Sequence, residues 1–204
     1  MRILGIETAT EACSVALFED DVLLDHRHEV LGRGHAERLV PMIAELPGKG
    51  RATQIVVSLG PGSFTGVRIG LATARALGIG WNAEVSGYPT LALVAAMALK
   101  SDRRPVTICM NGGHGQWFVQ AFDAGGQPEG DPLSQTPEQA RQDVPCSFAA
   151  GNRADELLQH EGSGGRAMHL LPDAREIRAL PANLLTTNLA PIYSRPPDAQ
   201  RPGQ

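Results

Sequence analysis

The chain has 204 residues, 42% hydrophobic and only 4% aromatic, with a net charge of −4 and a pI near 5.8. This is the composition of a globular domain with an aliphatic core, one domain or two lobes of about a hundred residues each. It lacks the basic excess of a stand-alone nucleic-acid binder. The local basic spots, Arg27 with His28, Arg33 to Arg38 and Arg103-Arg104, read as solvated surface. Cys13, Cys109 and Cys146 are scattered and form no CxxC pair, which suggests reduced thiols. The start "MRILGIETAT" does not resemble a secretory signal. The longest apolar run, "LALVAAMAL" at 91–99, is too short to span a bilayer. These features lead to the expectation of a cytoplasmic protein with no membrane partner.

Taken in chain order, "RILGIE" (2–7), "CSVALFED" (13–20) and "VLLDHRHEV" (22–30) predict three strands in a meander. A helix is expected over 34–46, where Ala36, Leu39, Val40 and Ile43 share one stripe. Pro41 within it predicts a kink or a later helix start. "QIVVSLG" (54–60) reads as a buried strand, 66–79 as a second helix, 83–87 as a strand and "PTLALVAAMALK" as a third helix. This β-β-β-α-β-α-β-α order is that of a ribonuclease-H-like lobe. "SDRRP" (101–105) is the expected boundary. After it come a hairpin at 106–110 and 116–123 about "NGGHG", and a helix start with a capping box at Thr136–Gln139. A strand at 146–151 and a short helix at 154–160 follow. The expected domains are 1–100, a reduced lobe at 101–195 and a loose Pro-rich tail at 196–204. No internal repeat is evident in the residues.

The stretch "SLGPGSFTGVRIGLATARALG" (58–78) places Gly60, Gly62, Ser63 and Gly66 between a strand and a helix. Such a turn can cradle phosphate with bare backbone N–H groups. The spacing is neither a Walker A loop nor a Rossmann fingerprint, so a tight turn that packs the helix on its strand is the favoured reading. The turn Glu7-Thr8-Ala9-Thr10 offers a carboxylate and hydroxyls at the end of the first strand. No His pair at i, i+4 and no activated serine or cysteine nucleophile can be assembled. Metal and peptidase chemistry are therefore not expected.

"ILGIETATEACSVAL", "GRGHAERLVPMI", the glycine stretch and "APIYSRP" (190–196), in this order and spacing, resemble the TsaB (YeaZ) family of threonylcarbamoyladenosine biosynthesis. Family members often carry Asp-Ala-Arg before the second hairpin, where this chain has Asn-Gly-Gly-His-Gly-Gln. The resemblance implies an α/β, actin/hexokinase-like ATPase fold of two ribonuclease-H-like lobes, the second reduced. It implies a non-catalytic subunit that dimerises with the TsaD-type sister, with a TsaE-type ATPase as third component. It also implies tRNA bound only through the complex, a homodimer when alone, and no cofactor beyond weak nucleotide binding. On this reading Glu7, Thr8, Gly60, Gly62 and Ser63 form a vestigial nucleotide cleft. The partner face would comprise Ala36, Leu39, Val40 and Ile43 with Val67, Arg68, Leu71, Ala74 and Arg75. Ile69, Gly70 and Leu77 lie on the same second helix, whose small residues would allow close helix approach. Two alternatives are a phosphotransferase of the same fold or a glycoprotease-like peptidase; a third is a direct tRNA-binding module.

Overall fold

The computed structural model describes residues 1–143, 147–159 and 164–194. Cys146, His160 and the tail from 195 lie outside the described residues. The first lobe follows the expected order: β1 (Arg2–Glu7), β2 (Ala12–Glu19), β3 (Val22–Val30), α1 (His35–Glu45), β4 (Gln54–Ser58), α2 (Phe64–Trp81), β5 (Glu84–Tyr88) and α3 (Thr90–Leu99). β1 and β2 pair antiparallel, as do β2 and β3, whereas β1–β4 and β4–β5 are parallel, in the order β3-β2-β1-β4-β5. α1 begins at His35 and carries Pro41 internally. Pro41 is exposed, so the carbonyl it leaves unpaired faces water.

The second lobe contains β6 (Val106–Gly113), β7 (Gln116–Phe122), β8 (Leu133–Gln135), α4 (Pro137–Asp143), β9 (Phe148–Ala150), α5 (Ala154–Leu158) and β10 (Arg166–Met168). The order β10-β9-β6-β7-β8 has the same sense of pairing as the first sheet. Strand for strand it repeats that sheet in shortened form, with α4 and α5 in the places of α1 and α2. This duplication is the architecture of the actin/hexokinase-like fold. The capping box is present: the Gln139 N–H donates to Thr136 Oγ1, and the Thr136 N–H donates to Gln139 Oε1.

Alternation along the strands separates two faces of the first sheet. Leu4, Ile6, Val15, Leu17, Ile55 and Val57 pack under α1 and α2. Ile3, Ala16, Phe18 and Val56 join a second core with α3, Ile108, Met110, Phe118, Phe122 and Phe148 of the other lobe. Nine of the ten α3 residues are buried, because the helix lies in the seam between lobes. A 3₁₀ helix at Ala174–Ala179 occupies the corresponding place after β10 and crosses back onto the first sheet. Gly5 is required there, since a Cβ would sit 2.8 Å from the Ile177 side chain. The expected second domain, 101–195, thus returns to the first lobe from Asp173 onward. Thr186 bridges to Gly87, and the Ile192 N–H donates to the Leu59 carbonyl. The sequence pattern missed this return because short 3₁₀ and extended segments have no periodicity.

Candidate functional site

A cleft of about 950 Å³ opens between the lobes. Its walls are the β1–β2 turn (Ala9, Thr10, Glu11), the glycine loop with the start of α2, the β6–β7 turn (Asn111 to His114) and Ile192 to Ser194. The glycines of the loop serve the chain's own backbone. A Cβ on Gly62 would overlap the Ala9 carbonyl, one on Gly66 the Thr8 carbonyl, and one on Gly70 the Thr8 hydroxyl. The Ser63 N–H donates to the Ala9 carbonyl at 2.7 Å, the Gly66 N–H to Ser63 Oγ at 3.2 Å, and Thr8 Oγ1 to the Gly66 carbonyl at 2.8 Å. Gly60 has φ +89°, and its carbonyl receives the first N–H of α3. The loop therefore spends donors that a phosphate would need on packing α2 against β1. Ser63 is the side-chain N-cap of that helix.

Glu7 is fully buried. Its Oε1 accepts from the Ala9 N–H (2.7 Å) and Ser58 Oγ (2.9 Å), and its Oε2 lies 3.1 Å from the Tyr88 hydroxyl. Among the described residues no cation is paired with it, and burial pushes its pKa up to about 7, against the lowering effect of these hydrogen bonds. The protonated acid satisfies the whole network. Glu7 can donate to Tyr88, whose hydroxyl donates in turn to the Ile6 carbonyl, 3.2 Å away. Burial, then the Glu7 charge, raises the Tyr88 pKa well above its ordinary value. Glu7 does not line the cleft, and a carboxyl whose charge is disfavoured by burial is poorly suited to hold a metal–phosphate complex.

Two further polar groups at the cleft are engaged, whereas the buried Ser194 hydroxyl has no partner among the described residues. Glu11 Oε1 accepts from Asn152 Nδ2 at 2.7 Å. The Arg68 guanidinium lies 3.1 Å from the Phe64 ring centroid and donates to the Tyr193 hydroxyl at 2.6 Å. It thereby fills the slot between two exposed rings. Burial pushes the Cys13 thiol up to about 12, with Glu29 and Glu7 adding to the shift, so it is inert as a nucleophile. Cys109 is also buried. Among the described residues no group of three His, Cys, Asp or Glu side chains could hold a metal, and no helix is long and apolar enough to cross a membrane.

The expected partner face divides in two. Leu39, Ile43, Val67, Leu71 and Ala74 are buried in the first lobe's own core, where a helix resting on a sheet must place its apolar stripe. Gly70 admits Thr8 and not a foreign helix. Arg68 and Arg75 are exposed but hold the returning C-terminal segment, Arg75 through the Leu189 carbonyl at 3.0 Å. Ala36 and Val40 do face outward, Val40 at 55% exposure. With Ala44 they form an exposed stripe at four-residue spacing on α1. The outward residues of α2 are Ala72, Ala76 and Ile79, the last 86% exposed. Of these six, only Ala36 and Val40 carried a signal in the sequence. The others are small or apolar residues on the polar side of the helix, which a core-stripe reading passes over.

A family model described as "TsaD: tRNA N6-adenosine threonylcarbamoyltransferase" matches residues 28–136. The tRNA threonylcarbamoyladenosine biosynthesis protein TsaB of Escherichia coli is 42% identical over 107 residues, 50% of this chain and 46% of that protein. The protein of the same name from Bacillus subtilis is 32% identical over 101 residues, 47% and 44% of the two chains. In these matches the chain spans about half the length of the curated relatives. A Pseudomonas aeruginosa structure, described as uncharacterized with similarity to peptidase YEAZ, superposes with a TM-score of 0.77. It is 25% identical, and the match covers 95% of this chain and 99% of that one. YeaZ from the same organism gives 0.76 at 24% identity, over 94% and 99%. With the family model matched over more than half its residues, this chain belongs to the tRNA N6-adenosine threonylcarbamoyltransferase (TsaD) family, as a TsaB/YeaZ-type member.

Proposed function

We propose that the chain works in threonylcarbamoylation of tRNA as a non-catalytic subunit, docking to the TsaD-type sister that performs the transfer. The observation that carries this reading is the contrast between the two regions above. Glu11, Arg68 and the glycine-loop N–H of Ser63, which could recognise a ligand in the cleft, are spent on internal partners. The adjacent helices α1 and α2 instead leave small and apolar side chains uncovered, Ala36, Val40 and Ala44 beside Ala72, Ala76 and Ile79. Small residues let two helices approach closely, and a like-with-like contact between similar folds would form a four-helix seam of roughly 1,600 Å² in total. The same face would close a homodimer when the sister is absent. On this reading a TsaE-type ATPase completes the set in the cytoplasm, tRNA is held only by the assembly, and the cleft needs no cofactor.

The test is co-purification of the sister with Val40→Asp and with Ala76→Arg. Both positions are exposed, so the isolated fold should survive, as circular dichroism would show. A charge buried without a partner in the seam costs several kcal/mol, enough to cut binding at least a hundredfold. Transfer activity should fall with it. Wild-type binding by both variants would overturn the docking face. Steady ATP turnover by the isolated chain would instead favour a phosphotransferase built on the 950 Å³ cleft.

A further inference from the structure

We propose that the two lobes are latched in one fixed arrangement by hydrogen bonds, Glu11 with Asn152 between the lobes and Ser14 with Asp173 where the chain returns from the second sheet to the first, so that the cleft does not open and close. The proposal stands apart from the choice of partner, since it concerns the relative motion of the lobes alone. Many proteins that turn over ligands in a cleft between lobes depend on hinge closure about it.

The first contact joins a turn of one lobe to a turn of the other. Glu11 follows β1, and Asn152 follows β9. Asn152 Nδ2 donates to Glu11 Oε1 at 2.7 Å, while its Oδ1 accepts the Asn111 N–H at 2.8 Å. One amide side chain thus ties the β1–β2 turn of one lobe to the β6–β7 turn of the other. The Glu11 carbonyl also accepts the N–H groups of Leu31 and Gly32, which fixes the turn to the loop before α1. In the second contact, Ser14 Oγ donates to Asp173 Oδ1 at 3.1 Å and accepts the Ala174 N–H at 2.8 Å. The other Asp173 oxygen is 2.9 Å from Arg175 Nε. Asn152, Ser14 and Asp173 are all buried. Opening would strip hydrogen bonds from these groups, each loss costing more than a surface bond would.

The backbone route reinforces the latch. α3 ends the first lobe but packs on the second sheet, and the 3₁₀ helix at 174–179 ends the second lobe but packs on the first. Each lobe therefore holds a piece of the other. A hinge motion would drag α3 out of a core that surrounds it on every side.

The full chain, with Cys146→Ser, would carry spin labels at Arg33→Cys and His114→Cys, exposed positions on opposite lobes. The wild-type latch should give one narrow distance distribution, unchanged by saturating magnesium-ATP. Asn152→Ala should broaden it. The same variant should speed amide exchange about five- to tenfold at Ala174, whose own acceptor is untouched. If Asn152→Ala does not fold, Ser14→Ala gives the mirror measurement, with Asn111 as the remote amide. A distance that shifts with magnesium-ATP in the wild type overturns the proposal. So does a variant that changes exchange only at the amide whose acceptor was removed.

Discussion

The Glu7 carboxyl is the group whose chemistry depends most on where the fold places it. Its ordinary pKa near 4.5 is raised to about 7 by burial. Between those values the folded chain keeps a proton that the unfolded chain has lost. Its contribution to stability is therefore full below about pH 4.5, declines as pH rises, and levels off above about pH 7 at a cost of about 3 kcal/mol. Gln in its place can accept from Ala9 and Ser58 while donating to Tyr88, as the protonated acid does. Glu7→Gln should fold as the wild type does and show a shallower fall in denaturation midpoint from pH 5 to pH 8. Equal slopes for the two proteins would mean that Glu7 is ionised in the fold. The sequence marked Glu7 as a cleft residue because it ends the first strand. It could not show that the side chain points into the seam beneath Tyr88, since that partner arrives 81 residues later.

Among the elements, α2 was the most legible and the most misread. Its position after a buried strand, its glycines and its aliphatic residues are plain in the sequence. The structure extends it from the expected 66–79 to Phe64–Trp81, because Ser63 caps the start and Asn82, with φ +54°, ends it. What the residues could not say is which neighbour the small side chains admit. Gly66 and Gly70 lie one turn apart and face Thr8, so the glycine pattern is a packing device between α2 and the β1–β2 turn. Gly66→Ala should therefore lower stability by about 1–3 kcal/mol through overpacking against the Thr8 carbonyl. Ala72→Gly, on the outer face of the same helix, should cost only about 1 kcal/mol of helix propensity. Chemical denaturation of the two variants separates these readings. A Gly66→Ala protein as stable as the wild type would return the loop to the role of an open anion cradle. The second lobe was legible in its capping box and hairpin, but β8 and β10, three residues each, fall below the length at which alternation is recognisable.

At the scale of the whole molecule, the family resemblance implied two lobes of one fold, but the residues themselves show no repeat. Topology repeats while residues do not: the strand order is shared, yet nine residues of β3 correspond to three of β8. Nor did the boundary at 101–105 reveal that the lobes share a core. Ile3, Phe18 and Val56 touch the same apolar cluster as Ile108, Phe118 and Phe148, with α3 between them. Two lobes joined only by a linker would unfold in two steps, each governed by its own core. Here neither sheet can lose its partner without exposing α3, so thermal unfolding should be a single transition whose calorimetric and van't Hoff enthalpies agree. Leu93→Ala, at a fully buried α3 position, should cost about 2–5 kcal/mol through the cavity it leaves. For a chain of this size that lowers the single midpoint by roughly 4–20 °C. Leu157→Ala, in the separate cluster under α4 and α5 of the second lobe, should move the same midpoint, because destabilising either lobe releases both. If Leu157→Ala splits the transition in two, with the first lobe melting at the wild-type temperature, the lobes fold independently and the shared core does not couple them.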